Sequence, residues 1–202
     1  MKLVTLNTLP AGLLDLPASE LHTLLPGPAL IHLPGRRPDP LFVSVLLHGN
    51  EVTGFKALQS VLKRHAKNEL PRALSIFIGN IEAARHGLRH LQGQVDYNRV
   101  WPGSEHAPTI EHGIMAEVVM QMKARRVFAA IDIHNNTGLN PHYACLNRLD
   151  HRFFHLALLF SRIVVYFTRP RGVLSAAFAD LCPAVTVEAG KPGISSGEEH
   201  AA

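Results

Sequence analysis

A histidine and a glutamate stand three residues apart in "SVLLHGNEVTG", where an apolar run gives way to a helix-like pattern. His48 and Glu51 fall just past the end of what reads as a buried strand. In α/β sheets that is where ligands bind. An imidazole and a carboxylate set three apart across a strand-to-helix turn can converge on one cation, and both are good Zn²⁺ ligands. The pattern differs from HExxH, which places two histidines one turn apart on a helix. A catalytic zinc commonly takes three protein ligands and keeps a position for water. "AAIDIHNNTG" offers a third ligand, His134, at another strand end before a polar turn. His112, His142, His151 and His155 are rivals, but they lie in helical or loop contexts without a matching carboxylate, which suits surface or capping roles. An HxxE pair recurs widely without meaning, and the second strand-end histidine is what gives this one weight. Glu188 in "AVTVEAGKPG" closes a further strand. A carboxylate near a metal but not bound to it can take the proton of an attacking water and return it to the leaving group.

The elements that must position these residues are legible from periodicity. Short β-branched runs predict strands at 29–33, 41–47, 74–79, 127–133, 163–167 and 184–188. Several are apolar on both faces, as in a covered, largely parallel sheet. Helical stripes lie between them: Val52, Phe55, Leu58, Val61 and Leu62; Ile114, Val118, Val119 and Met122; and Phe154, Leu158 and Leu159. Strands alternating with helices predict an α/β fold, a mixed, largely parallel central sheet with helices on both faces. Residues 82–108 form a long polar stretch with Gly and Pro, the kind of segment that is usually functional or disordered. Gly49 is expected to permit a tight turn, and Asn50 to cap the following helix. Ser195 with Glu198 has the spacing of a capping box, so a helix is expected to start there shortly before the sequence stops.

Bulk composition narrows the classes. The chain has 202 residues, of which 47% are hydrophobic, enough for one sizeable core and far from a disordered composition. Twenty Lys and Arg against 16 Asp and Glu give a net charge of +4, scattered in pairs such as Arg36-Arg37 and Arg125-Arg126. That is not the dense patch of a nucleic-acid binder. Cys145 and Cys182 have no CxxC spacing and read as reduced structural thiols. No signal peptide and no apolar run long enough to cross a membrane are seen, so the expected location is cytoplasmic.

"LLHGNE", "DYNRVWPG", "DIHNNTG" and "TVEAGKPG", in this order, resemble the succinylglutamate desuccinylase/aspartoacylase family, which belongs with the M14-type zinc carboxypeptidases. Residues 28–193 carry the resemblance. It implies a zinc carboxypeptidase-like fold and one Zn²⁺ held by His48, Glu51 and His134, with Glu188 as general base and acid. It implies that Asn98 and Arg99 hold the substrate carboxylate, a task suited to the planar guanidinium fork. The oxyanion arginine best matches Arg89, with Arg85 as rival because the spacing to Asn98 differs by about two residues from the desuccinylase-like pattern. Asp96 matches an aspartate that supports the first zinc histidine, and Asp132, two residues before His134 on the same side of its strand, is placed to support the second. The stretch before Glu188, "GVLSAAFADLCPAVTVE", lacks the tyrosine and arginine by which aspartoacylase-like enzymes select their acidic substrate; Arg169 and Arg171 are near but shifted. The expected activity is zinc-dependent hydrolysis of an amide bond in a small N-acyl amino acid. The alternatives are a metallocarboxypeptidase acting on peptides or peptidoglycan stems, and a zinc-binding homologue without turnover. The expected partner is a small molecule with a free carboxylate, with no nucleic acid and no membrane, and a homo-oligomer is left open. Residues 1–202 are expected to be one catalytic domain, truncated before the small β-rich domain that longer family members append.

Overall fold

The computed structural model describes residues 2–138 and 140–202. Among them eight strands form one sheet: β1 (Val4–Leu6), β2 (Ala29–Leu33), β3 (Leu41–Val45), β4 (Leu74–Ile78), β5 (Ala129–His134), β6 (Tyr143–Leu146), β7 (Val164–Tyr166) and β8 (Ala184–Glu188). Their spatial order is β1-β2-β4-β3-β5-β8-β6-β7. The central strands β4, β3, β5 and β8 are mutually parallel. β2 and β6 flank them antiparallel. Each continues outward into a parallel partner, β1 and β7. The expected mixed, largely parallel sheet is present.

Helices cover both faces. α1 (Thr53–His65) and α4 (His151–Phe160) lie on the face that carries Val43, Ile131, Ile133, Val185 and Val187, and α6 (Ser195–Ala201) packs beside α1. On the opposite face Phe178 of α5 (Leu174–Phe178) stacks on Phe42 of β3, with ring centroids 4.6 Å apart. Trp101 fits edge-on between Phe77 and Phe178. α2 (Ile81–Arg85) follows β4, and α3 (Ile110–Ala124) follows the long polar stretch. That stretch is folded, with a short 3-10 turn at Tyr97–Arg99 capped by the Asp96 side chain. No helix among the described residues is long and apolar enough to cross a membrane.

The α4 stripe needs correction. The helix turns Phe153 and Ala157 inward and leaves Phe154, Leu158 and Leu159 exposed. "FFHLALLF" is apolar almost all round, so helical spacing fits more than one face. Two strands went unread, β1 and β6, which are only three and four residues long. Neither expected cap forms. α1 starts at Thr53 with no cap from its own N-terminal side chain, and its Thr53 N–H donates instead to Asn135 Oδ1 at 3.2 Å. α6 does begin at Ser195, but without a side-chain cap. Glu198 accepts from Lys56 Nζ at 2.7 Å, which fastens α6 to α1.

Gly54 shows how closely α1 approaches the sheet. A Cβ there would meet Cβ and Cγ2 of Ile133 at 2.8 Å. Alanine would gain about 1 kcal/mol of helix propensity, while overpacking against a rigid β-branched side chain costs about 1–3 kcal/mol. Gly54→Ala should therefore destabilise the protein by about 1 kcal/mol net, read from the midpoint of urea unfolding. A stabilised variant would contradict the close approach.

Candidate metal centre

The site is built at the carboxyl ends of adjacent parallel strands. Past β3 the chain turns at Leu46, a buried residue with φ 57°, in the left-handed region that leucine rarely adopts. Gly49 lies in the expected turn, closed by Glu51 N–H donating to His48 O at 3.1 Å, and its lack of a side chain serves a second end. A Cβ there would lie 2.2 Å from Ala84 N and 2.3 Å from Ala83 C, so only glycine lets the α2 backbone pass. Its N–H donates to Arg89 O at 3.1 Å, tying the turn to the polar stretch.

His48, Glu51 and His134 converge and are all buried. His48 Nδ1 lies 2.8 Å from Glu51 Oε1, His134 Nδ1 lies 2.8 Å from Glu51 Oε2, and the two Nδ1 atoms are 3.2 Å apart. The outer nitrogens have carboxylate partners. His48 Nε2 is 3.0 Å from Asp96 Oδ1, and His134 Nε2 is 2.8 Å from Asp132 Oδ2. A carboxylate on Nε2 fixes the proton there and turns the Nδ1 lone pair inward, the usual arrangement behind metal-bound histidines. A tetrahedral cation with bonds of about 2.0–2.2 Å needs donors about 3.3–3.6 Å apart, which these atoms approach within several tenths of an ångström. The residues fit a small divalent cation.

The electrostatics agree. Burial alone would raise the Glu51 carboxyl, yet the charges and hydrogen bonds of His134 and His48 carry it well below the usual carboxylate range. Asp96 is likewise raised by burial and lowered further by His48, the Asn98 N–H and Arg89. Burial would lower His134, but Asp132 and Glu51 hold it well above its ordinary value. The carboxylates of the cluster draw positive charge towards its centre, which a divalent cation would supply, and binding one to such a site releases protons.

The remaining expected residues gather around this cluster. His134 and Glu188 are register partners on β5 and β8. Burial, first, raises the Glu188 carboxyl; the charges of Glu51 and Asp132 add to it and that of His134 opposes it. Glu188 Oε2 is buried without a hydrogen-bond partner. Arg89 donates to Glu51 Oε1 at 3.2 Å and to Asp96 Oδ2 at 3.1 Å. Arg85 instead pairs with Glu82 on α2, at 3.7 Å, so the geometry brings Arg89 to the cluster and not Arg85. Asn98 and Arg99 part company. Asn98 is buried, its Nδ2 3.3 Å from His134 Nε2 and its Oδ1 accepting from Leu174 N at 3.3 Å. Arg99 donates to Asn98 O at 2.6 Å and lines a cleft of about 410 Å³ with Glu105, Arg169 and Arg171. Arg169 and Arg171 both pair with Glu105, each at 3.2 Å. A larger cleft of about 690 Å³ beside α5 contains none of the clustered residues, so chemistry and not volume locates the site.

Sequence reasoning missed Asn135. Its backbone N–H donates to Glu51 Oε2 at 3.1 Å, and its side chain donates to Thr53 Oγ1 at 2.9 Å and Gly190 O at 2.7 Å while accepting from Thr53 N. The polar turn after His134 was the available signal; which element it would clamp was not. The two cysteines are free. Burial pushes both thiols up to about 12, aided at Cys145 by Glu188, so neither is a nucleophile at neutral pH.

A family profile described as the succinylglutamate desuccinylase/aspartoacylase catalytic domain matches residues 40–200. The chain belongs to this family. Solved structures agree on the fold. A succinylglutamate desuccinylase from Chromobacterium violaceum superposes with TM-score 0.66 at 22% identity, covering 83% of this chain and 60% of that one. One from Vibrio parahaemolyticus gives 0.62 at 19%, covering 77% and 58%. The product-bound ectoine utilization protein from Ruegeria pomeroyi gives 0.66 at 18%, covering 85% and 56%. The chain thus spans less than two thirds of the length of these relatives. No curated protein sequence gives a significant match.

Asp132→Asn removes the charge behind His134 while keeping the side-chain shape. It should lower affinity for a divalent metal roughly 10–100-fold, measured by competition with a chelator of known affinity. Unchanged affinity would deny Asp132 that supporting role.

Proposed function

We propose that this chain is the catalytic domain of a zinc-dependent hydrolase that cleaves an amide bond in a small, carboxylate-bearing N-acyl amino acid. The observation that carries the reading is the convergence of His48, Glu51 and His134, at 2.8–3.2 Å, with Glu188 on the neighbouring strand. Bound by the three side chains, Zn²⁺ would supply Lewis acidity, bringing the pKa of a water towards about 7 and polarising the substrate carbonyl.

The chain's own residues account for the rest. Glu188, through its unpartnered oxygen, accepts the proton of the attacking water and then protonates the departing amine. Arg89 already uses two of its five N–H donors on Glu51 and Asp96, which fixes its fork beside the cluster. Its remaining donors stabilise the charge that gathers on the carbonyl oxygen. Arg99, at the edge of the arginine-lined cleft, grips the substrate carboxylate, and this fixes which bond is presented. Asn98 seats the turn that presents Arg99, since its Oδ1 accepts from the Leu174 N–H. Asp96 and Asp132 orient the two histidines. Two free, protonated thiols suit a reducing compartment, and we place the protein in the cytoplasm on that ground.

The decisive experiment compares wild type with Glu188→Gln on a panel of N-acyl amino acids and short peptides, with metal content measured on both. Wild type should carry about one zinc and lose activity to chelators, as a three-ligand site implies. The variant should keep its zinc and lose turnover by at least about 10³-fold, placing Glu188 at the upper end of general acid–base contributions. Full activity in the variant would remove Glu188 from the chemistry. A wild type that cleaves peptides and ignores N-acyl amino acids would replace the substrate class.

A further inference from the structure

Tyr143 opens β6, and the antiparallel ladder sets it directly opposite Glu188 of β8. Opposed residues of such a pair share one face of the sheet, with Cβ atoms about 5 Å apart. Glu188 in turn stands opposite His134 on β5. The tyrosine therefore lies on the face and at the level of the sheet that carry the metal cluster. It is half-buried, and its hydroxyl meets no hydrogen-bond partner among the described residues. Being only partly covered, the hydroxyl is open to solvent and to a bound ligand. Glu188 Oε2, on the next strand, is buried and equally unpartnered. Two adjacent polar groups left free at one spot are what a polar substrate would satisfy.

We propose that the Tyr143 hydroxyl hydrogen-bonds the reacting amide of the substrate, donating to its carbonyl oxygen as negative charge gathers there. The inference rests on the amide-hydrolase reading above. Sheet order supports it. Arg89 approaches the cluster from the β3 side through Glu51 and Asp96, while Tyr143 stands on the β6 side. β6 is two strands from β5, about 10 Å, a gap that a tyrosine side chain and a small substrate span together. The carbonyl oxygen is then clasped from both sides. Burial, with Glu188 and Cys145 nearby, pushes the phenol above its ordinary value, so it remains a donor at neutral pH. Cys145, two residues along the same face of β6, stays a neutral thiol and offers no competing donor of comparable strength.

Tyr143→Phe keeps the ring and removes the hydroxyl. On the best N-acyl amino acid of the panel, kcat should fall about 10²-fold, as for loss of one oxyanion donor, while KM changes less than about 3-fold. A phosphonate analogue of the tetrahedral adduct, titrated calorimetrically into zinc-loaded protein, should bind the variant at least about 10-fold more weakly. Zinc content and thermal midpoint should match wild type. Unchanged kcat with unchanged analogue affinity overturns the proposal. A rise in KM alone overturns it too, because that marks the ring as a passive wall. If wild type turns over nothing on the panel, the hydrolase reading has failed on its own, and the analogue titration still decides Tyr143. Weaker binding by the variant upholds the hydrogen bond to a tetrahedral ligand, whereas equal binding, or none by either protein, removes it.

Discussion

The carboxylate of Glu51 is the constraint on which the rest depends. It is buried, and an unpaired charge in such a place costs several kcal/mol. Its two oxygens are met by His48, His134, the Asn135 N–H and Arg89. Those partners come from the turn after β3, the end of β5 and the polar stretch after α2. None of the three segments can move far without stripping a partner from a buried charge. The same contacts that create the site thus lock the register of the elements around it, and the fold is most constrained where its chemistry lies.

Alternation along β5 shows how the sheet serves this cluster. Asp132 and His134 point to one face, while Ile131 and Ile133 point to the other, beneath α1. One strand therefore supplies His134, its carboxylate support and the apolar platform for the helix that follows Glu51. The polar face is closed by α5 and the segment around Trp101, where Thr186 Oγ1 donates to Ser175 Oγ and Ser175 Oγ donates to Asn147 Oδ1. These pairs satisfy Thr186, Ser175 and Asn147 below the site, while Glu188 Oε2, Asp132 Oδ1 and Ser44 Oγ on the same face are buried without a partner among the described residues.

What could be read in the sequence was local. Strand ends, an HxxE spacing and a histidine followed by a polar turn are properties of ten residues or fewer, and the structure brings His48, Glu51 and His134 together as that reading required. What could not be read depends on partners far along the chain. Asn135 satisfies the start of α1 across 82 residues, a service that Asn50, much nearer in sequence, does not perform. Gly49 is required because α2 presses against it, which no feature of "HGNE" reveals. The α4 stripe failed for the opposite reason, an excess of apolar residues that satisfied several faces at once. Tyr143 escaped because a four-residue strand carries too little pattern to be placed, and its importance follows only from its pairing with Glu188.

Sheet order also divides the labour of the site. The strand order β3-β5-β8-β6 places the cluster of His48, Glu51 and His134 first, Glu188 next and Tyr143 last. Because β8 is parallel to β5 but antiparallel to β6, Glu188 meets His134 at the end of one strand and Tyr143 at the beginning of another. A parallel β6 would have brought its last residue to this edge and not its first. The reversal brings the start of β6 to the same end of the sheet as the end of β5, so His134 and Tyr143 stand on either side of Glu188 there. The ladders on both sides of Glu188 thereby fix its distance to His134 and to Tyr143, which is the rigidity that the proposed hydrolysis would need.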